Sequence, residues 1–225
     1  MKLYVIRQKT NVSIQRSSKD GFGAFMQTPA ECDIIKANNK SGFVEQKEYT
    51  MLYHASQQSG IKKLVPHAST HGKKYVYAIN NRLMAILFGA SKDDFDLLID
   101  EANGKPVIFE CYPNALRKVY YEKACYLYVV NEEGFLSNQT GWKPELVCEH
   151  SVPVVSEEKI ENIYNKIIDS IHTGDCIFHE YSTNEEYQTF LKDELSERVR
   201  SFGITNEQMD ADSRFALYFN NLLGR

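Results

Sequence analysis

The side chains in this chain that could do chemistry sit in apolar, strand-like stretches. His54 lies in Leu52-Tyr53-His54-Ala55-Ser56, where a neutral imidazole offers one hydrogen-bond donor and one acceptor. Tyr75 and Tyr77 lie in Lys74-Tyr75-Val76-Tyr77-Ala78; two apart on a strand, they face the same side and can stack on a planar ring. Glu145 follows Pro144 at the entrance to an extended segment, and a carboxylate there can stabilise developing positive charge. Glu110 and Glu149, on neighbouring runs, compete for that role. Each residue also has a plain structural use: His54 as a hydrogen-bonded strand histidine, the tyrosines and Phe88 as core aromatics, Glu145 as a solvated strand-end glutamate.

Motifs that would name a reaction by themselves are missing. There is no glycine-rich phosphate loop with its lysine, no dinucleotide fingerprint, no nucleophile elbow and no H-E-x-x-H helix. Gly21-Phe22-Gly23-Ala24-Phe25 comes nearest and lacks both spacing and context. His67 and His71 share a loop with no carboxylate or thiol beside them, so a solvated loop is expected there and no metal. The five cysteines, Cys32, Cys111, Cys125, Cys148 and Cys176, are widely spaced, and their odd number argues against a disulfide framework. They read as reduced fillers of apolar segments, with no disulfide partner.

The elements that must position these residues belong to a chain of 225 residues, 43% hydrophobic and 25% charged, which can bury a core without staples and is too apolar for global disorder. A net charge of -4 with scattered Lys and Arg lacks the footprint of a dedicated nucleic-acid binder. No apolar run is long enough to span a bilayer, so no membrane partner is expected and a cytoplasmic location is.

Residues 2–7 alternate into a first strand, and residues 17–39 form a long loop with strand fragments near 32–36. Residues 49–55 and 74–79 read as strands. Between them a short turn of helix or strand ends at Pro66, followed by a loop. A helix capped by Asn80 or Asn81 runs through Phe88 and stops at Gly89. Asn103-Gly104 between two β-prone runs marks a hairpin, residues 123–131 form another strand, and Pro153 confines the segment after Pro144 to a strand end or an edge. From Ser156 a helical stripe of Ile160, Ile163, Tyr164, Ile167, Ile168 and Ile171 ends before Gly174. A short strand follows, then a helix capped by Thr183 and Glu186, and a last helix capped by Thr205 and Gln208 that runs through Leu223.

Taken in order, the His54 strand, the Gly60-Ile61 to Leu64 turn, the Tyr75/Tyr77 strand and a helix holding Ala85 and Phe88 resemble the start of the ADP-ribosyltransferase-like fold, in its histidine/tyrosine/glutamate class. Pro144-Glu145-Leu146-Val147 followed by Val152-Pro153 is similar to the late segment of its toxin-like, DNA-modifying branch. The resemblance covers residues 49–171 and departs from the usual pattern at Ala55, where glycine is common. It implies an α+β fold with a mostly antiparallel split sheet, a core over 49–171, a helical C-terminal extension over 172–225, and an N-terminal strand and long loop over 1–48.

The resemblance also implies NAD as substrate. His54 would donate a hydrogen bond to a ribose hydroxyl, and the backbone around Ala55 and Ser56 would hold the carboxamide. Tyr77, or Tyr75 in its place, would stack on the nicotinamide with Phe88 opposite. Glu145, or Glu149 instead, would stabilise the oxocarbenium character as the glycosidic bond breaks. Arg7, Arg16 and Arg82 are equal candidates for a phosphate contact. The partners implied are a macromolecular acceptor, or water where NAD is hydrolysed, and an inhibitor protein. The alternatives are a non-catalytic interaction module on the same scaffold and an RNA 2'-phosphotransferase-like enzyme, which needs basic residues converging on His54.

Overall fold

Period-two patterning and turn chemistry set most of the strands. The computed structural model describes residues 50–68 and 73–225; the expected first strand and long loop, the glycine-rich segment, Arg7, Arg16, His71 and Cys32 lie outside the described residues. The chain runs through β1 (Met51–Ser56), β2 (Lys63–Leu64), β3 (His67–Ala68), β4 (Lys74–Ile79), α1 (Arg82–Leu87), β5 (Leu97–Ala102), β6 (Lys105–Glu110) and α2 (Ala115–Tyr120). It continues through β7 (Cys125–Asn131), β8 (Leu136–Ser137), β9 (Glu145–Cys148), β10 (Val152–Pro153), β11 (Ser156–Ile160), α3 (Ile163–His172) and β12 (Ile177–His179). It closes with α4 (Glu185–Phe202), α5 (Asn206–Ala211), a π-helical turn (Phe215–Phe219) and α6 (Asn220–Leu223). Helices and mainly antiparallel sheet make the fold α+β.

The main sheet has the order β11-β7-β1-β4-β9-β8. Its middle is interrupted. β1 stays paired with β7 from Met51 to Ser56 and β4 with β9 from Val76 to Ile79, but β1 and β4 meet only at Tyr53 and Ile79. Beyond that pair β3 takes the edge of β4, His67 opposite Tyr75 and Ala68 opposite Lys74. A second sheet has the order β12-β6-β5, and β12 runs parallel to β6, an exception to the antiparallel rule that the long connection from Cys111 to Cys176 permits.

Alternation gives the main sheet two buried faces. Leu52, Val76, Ala78, Val130 and Cys148 pack with Leu64 and Val152 in a small core beneath the β2–β10 pair. Tyr53, Ala55, Ile79 and Leu127 face a large core that takes in α1, α2, α3 and the C-terminal helices, with Leu191, Leu195, Met209, Phe215 and Phe219 inside it. Cys111, Cys125, Cys148 and Cys176 are free and buried. Among the described residues, no helix is long and apolar enough to cross a membrane.

Several local expectations hold, each for a visible reason. Asn81 caps α1 by accepting from Met84 N at 2.8 Å. Asn103 and Gly104 both have positive φ, 54° and 77°, as a two-residue hairpin turn of type I′ requires. Thr205 and Gln208 form their reciprocal capping box.

Others are corrected. Residues 156–160 form a strand, because the free edge of β7 takes their backbone hydrogen bonds; the helix begins only after Asn162, whose side chain accepts from Asn165 N at 2.9 Å. A tertiary edge outweighs a helical pattern here. The cap of α4 is Asn184, accepting from Tyr187 N at 2.7 Å, and not Thr183. The last helix is broken at Asp212, which ends α5 in extended backbone. Helix α2 was not foreseen; Leu116, Val119 and Tyr120 bury its inner face. Gly89 does not end α1 by a left-handed turn, since Phe88 is the cap and Gly89 is not among the positive-φ glycines. A Cβ on Gly89 would lie 2.4 Å from Cys125 Sγ, so close approach is what requires glycine.

Candidate functional site

Three strands bearing His54, Tyr77 and Glu145 are neighbours in the main sheet, as β1, β4 and β9. Tyr53, Ile79 and Glu145 form one cross-strand row. Glu145 opens β9, and its N–H closes a turn onto Trp142 O at 3.1 Å.

The opening left where β1 departs from β4 is a cavity of about 630 Å³, within the range of small-molecule and cofactor sites. His54, Ala55 and Ser56 line it from β1, Val76 from β4, and His67 from β3. Lys62 lines it from the segment entering β2, and Lys63 from β2 itself. Tyr75, Tyr77, Phe88 and Glu145 are not part of its wall. No carboxylate lines it among the described residues, so in a chain of net charge -4 this opening is locally basic.

His54 Nδ1 lies 2.8 Å from Tyr77 O. A carbonyl only accepts, so Nδ1 carries the proton. Burial holds the imidazole pKa below its ordinary value, against the Tyr77 hydrogen bond that raises it, and the nearby His67 lowers it further. A neutral ring protonated at Nδ1 leaves Nε2 as an acceptor. His54 is therefore set to accept from a ligand hydroxyl through Nε2, the reverse of the donating role expected from sequence.

Of the two tyrosines, Tyr75 is 4% exposed and is a core aromatic. Tyr77 is half-buried, with its ring 6.0 Å from that of Tyr75 and 5.5 Å from that of His67. Phe88 packs edge-on against Trp142 with 5.4 Å between ring centroids, and Lys92 Nζ lies 4.8 Å from the Phe88 centroid.

Glu145 is 9% exposed and Thr140 8%. Burial raises the Glu145 pKa, and the nearby Thr140 hydroxyl offsets part of that. Glu145 Oε2 and Thr140 Oγ1 nevertheless make no hydrogen bond of good geometry. A buried polar atom without a partner costs roughly 1–3 kcal/mol, so the Glu145 carboxylate beside the Thr140 hydroxyl is an under-satisfied buried pair, unlike a solvated strand-end glutamate. Strand alternation places Glu145 on the face of Ile79, toward the large core, and His54 on the face of Leu52, toward the small core. The two therefore project to opposite faces of the sheet, and of the two only His54 lines the opening between β1 and β4.

The competing residues have other duties. Glu110 accepts from Leu116 N at 2.9 Å and from Tyr181 N at 3.2 Å, tying α2 to the segment after β12. Glu149 pairs with Lys73 at the surface, and Arg82 is held by Glu158. Sequence reasoning did not single out Lys62, Lys63, Thr140 or Trp142. The dipeptide Lys62-Lys63, separated from the end of the His54 strand by residues 57–61, was the one available signal for a basic opening.

A second cavity, of about 550 Å³, lies against Phe95, Phe202 and Phe215. Its arginine, Arg214, is saturated by Asp93, Asp96 and Asp212, which ties α5 and the π-helical turn to the segment before β5. Among the described residues, no group of three or more His, Cys, Asp and Glu is placed to hold a metal ion. Comparison with family models, curated proteins and solved structures returns no match.

Proposed function

We propose that this chain is an ADP-ribosyltransferase-like enzyme that binds NAD in the opening between β1 and β4 and passes ADP-ribose to a macromolecular acceptor or to water. The observation that supports the reading is that β1, β4 and β9 are neighbours in the main sheet, with an opening of about 630 Å³ lined from β1 and β4. Residues 54, 77 and 145 are distant in the chain, and the resemblance alone required their strands to meet.

In this reading His54 Nε2 accepts from a ribose hydroxyl, and backbone groups at Ala55 and Ser56 hold the carboxamide. Lys62 and Lys63 neutralise the pyrophosphate. Tyr77 supplies a ring face to the nicotinamide, and Glu145 stabilises the oxocarbenium character of the breaking bond from a low-dielectric position. Glu145 is enclosed beside Thr140 and Trp142, so this role requires that turn to open when ligand binds. The test is nicotinamide release from NAD. Wild type releases it, Glu145→Gln does not, and His54→Ala loses the NAD-induced rise in melting temperature. Unchanged turnover in Glu145→Gln removes that residue from the mechanism.

A second reading rests on a different observation. Lys62, Lys63, His54 and His67 converge on one opening without a carboxylate, which also suits a phosphorylated RNA end in the manner of an RNA 2'-phosphotransferase. Competition separates the two: displacement of NAD by a 2'-phosphorylated oligonucleotide, with phosphate transfer, favours the second.

A further inference from the structure

The segment Gln58–Ile61 leaves β1 and turns back over the cavity, with Gln58 and Ile61 both in its wall. It has no regular structure of its own, and the backbone groups Gln58 O, Gly60 N and Ile61 N are bonded to residues outside the cavity wall. Tyr128 of β7 is fully buried. Its hydroxyl donates to Gln58 O at 2.6 Å and accepts from Ile61 N at 3.4 Å. Glu157 of β11 accepts from Gly60 N at 2.8 Å. Gly60 has φ +75° and open space around it, so the strap passes through the left-handed region where only glycine is unstrained. Ser56 Oγ fixes the start of the strap by accepting from Gln58 N at 3.1 Å.

These contacts follow from register. His54, Tyr128 and Glu157 are directly opposite one another on β1, β7 and β11, so one cross-strand row holds the cavity histidine and both groups that pin the strap above it. Neither Tyr128 nor Glu157 lines the cavity.

We infer that Tyr128 and Glu157 are positioning residues for ligand binding: they hold the Gln58–Ile61 strap as the fixed wall of the β1–β4 cavity through backbone hydrogen bonds, without touching the ligand. The inference rests on the proposed NAD site for its ligand, while the order it ascribes to the strap is independent of that site.

Amide hydrogen exchange and NAD titration are run on wild type, Tyr128→Phe, Glu157→Ala and Glu157→Gln. Tyr120→Phe is the control, since that buried phenol donates to Leu87 O at 2.8 Å in the large core, away from the strap. Tyr128→Phe removes a donor and an acceptor at once. Exchange at Gly60 and Ile61 rises about tenfold and NAD affinity falls about tenfold, the size expected for lost backbone hydrogen bonds. Glu157→Ala acts in the same direction, and Glu157→Gln, which keeps an acceptor oxygen, restores most of the effect. Tyr120→Phe lowers the melting temperature without moving either readout. Unchanged exchange at Gly60 and Ile61 in Tyr128→Phe overturns the strap, as does an equal loss of NAD affinity in Tyr120→Phe. Should wild type fail to bind NAD, the NAD reading fails, and the exchange comparison alone decides whether Tyr128 orders the strap.

Discussion

His54 Nδ1 donates to the carbonyl of Tyr77 across the break between β1 and β4, at 2.8 Å. The carbonyl belongs to the stretch of β4 that no longer pairs with β1, so the imidazole completes a ladder that the backbone has abandoned. One side chain thereby satisfies the split and turns Nε2 away from Tyr77.

A pH dependence follows from burial of that ring. Its pKa lies below the ordinary value of about 6.5. As pH falls through the unfolded-state value, the unfolded chain takes up a proton that the folded chain refuses, so stability declines on acidification and is fully present above it. His179, also lowered by burial, adds a slope of the same sign. Urea unfolding at pH 7.5 and pH 5.5 should therefore show a smaller acid-induced loss in His54→Gln than in wild type, with the His179 part retained. An equal loss in both would mean that His54 is solvated.

Glu145 has the opposite sign. Its pKa is raised by burial, so between the ordinary carboxylate value and the raised one the folded state holds more protons, and stability falls as pH rises through that window. At neutral pH the buried carboxylate with an unpartnered oxygen is a cost. Glu145→Gln should stabilise the protein, by on the order of 1 kcal/mol, while abolishing nicotinamide release. Denaturation showing the variant to be less stable than wild type would make Glu145 a structural partner.

Elements with a local code were legible in the sequence. Asn81, Asn103-Gly104 and the Thr205/Gln208 box each write their own geometry, and all three form. β11 was not legible, because Ser156–Ile160 is a strand only where β7 offers an edge. Helix α2 was hidden because its first turn is satisfied from afar, by the Glu110 carboxylate on Leu116 N, while Asn114 at its N-cap position is in left-handed backbone and makes no side-chain cap hydrogen bond. The strands of residues 54, 77 and 145, singled out by order along the chain, are neighbours in the sheet, and of the three residues only His54 lines the cavity. Thr140 and the strap contacts were not, since both depend on packing across strands.

That remote cap makes Glu110 a test of the competing glutamates. It is 3% exposed and serves two backbone N–H groups at once. Truncation in Glu110→Ala takes the acceptor from both and leaves the buried Leu116 N unpaired, at about 1–3 kcal/mol. Glu110→Gln keeps one acceptor oxygen and loses less. Chemical denaturation should rank wild type above Gln and Gln above Ala, while any nicotinamide release by the folded fraction stays at the wild-type rate. Loss of turnover in a stable Glu110→Gln protein would move the catalytic role away from Glu145.

Gly89 offers a test of packing at the junction of α1 and β7. An added Cβ would lie 2.4 Å from Cys125 Sγ and 2.6 Å from Cys125 Cβ, distances that require one element to shift. Both neighbours are in the large core, where Cys125 is fully buried and Ile86 and Leu87 leave no slack. Overpacking of this kind costs about 1–3 kcal/mol, so Gly89→Ala should lower the urea midpoint without changing its slope. Truncating only the sulfur, in Gly89→Ala with Cys125→Ala, should recover little, because the Cys125 Cβ remains in the way. Adding Cys125→Gly to Gly89→Ala removes both clashing atoms and should recover more, despite the flexibility a glycine brings to β7. A single Gly89→Ala protein as stable as wild type would show that α1 can slide on β7, and would return Gly89 to the helix-ending role first read from its position.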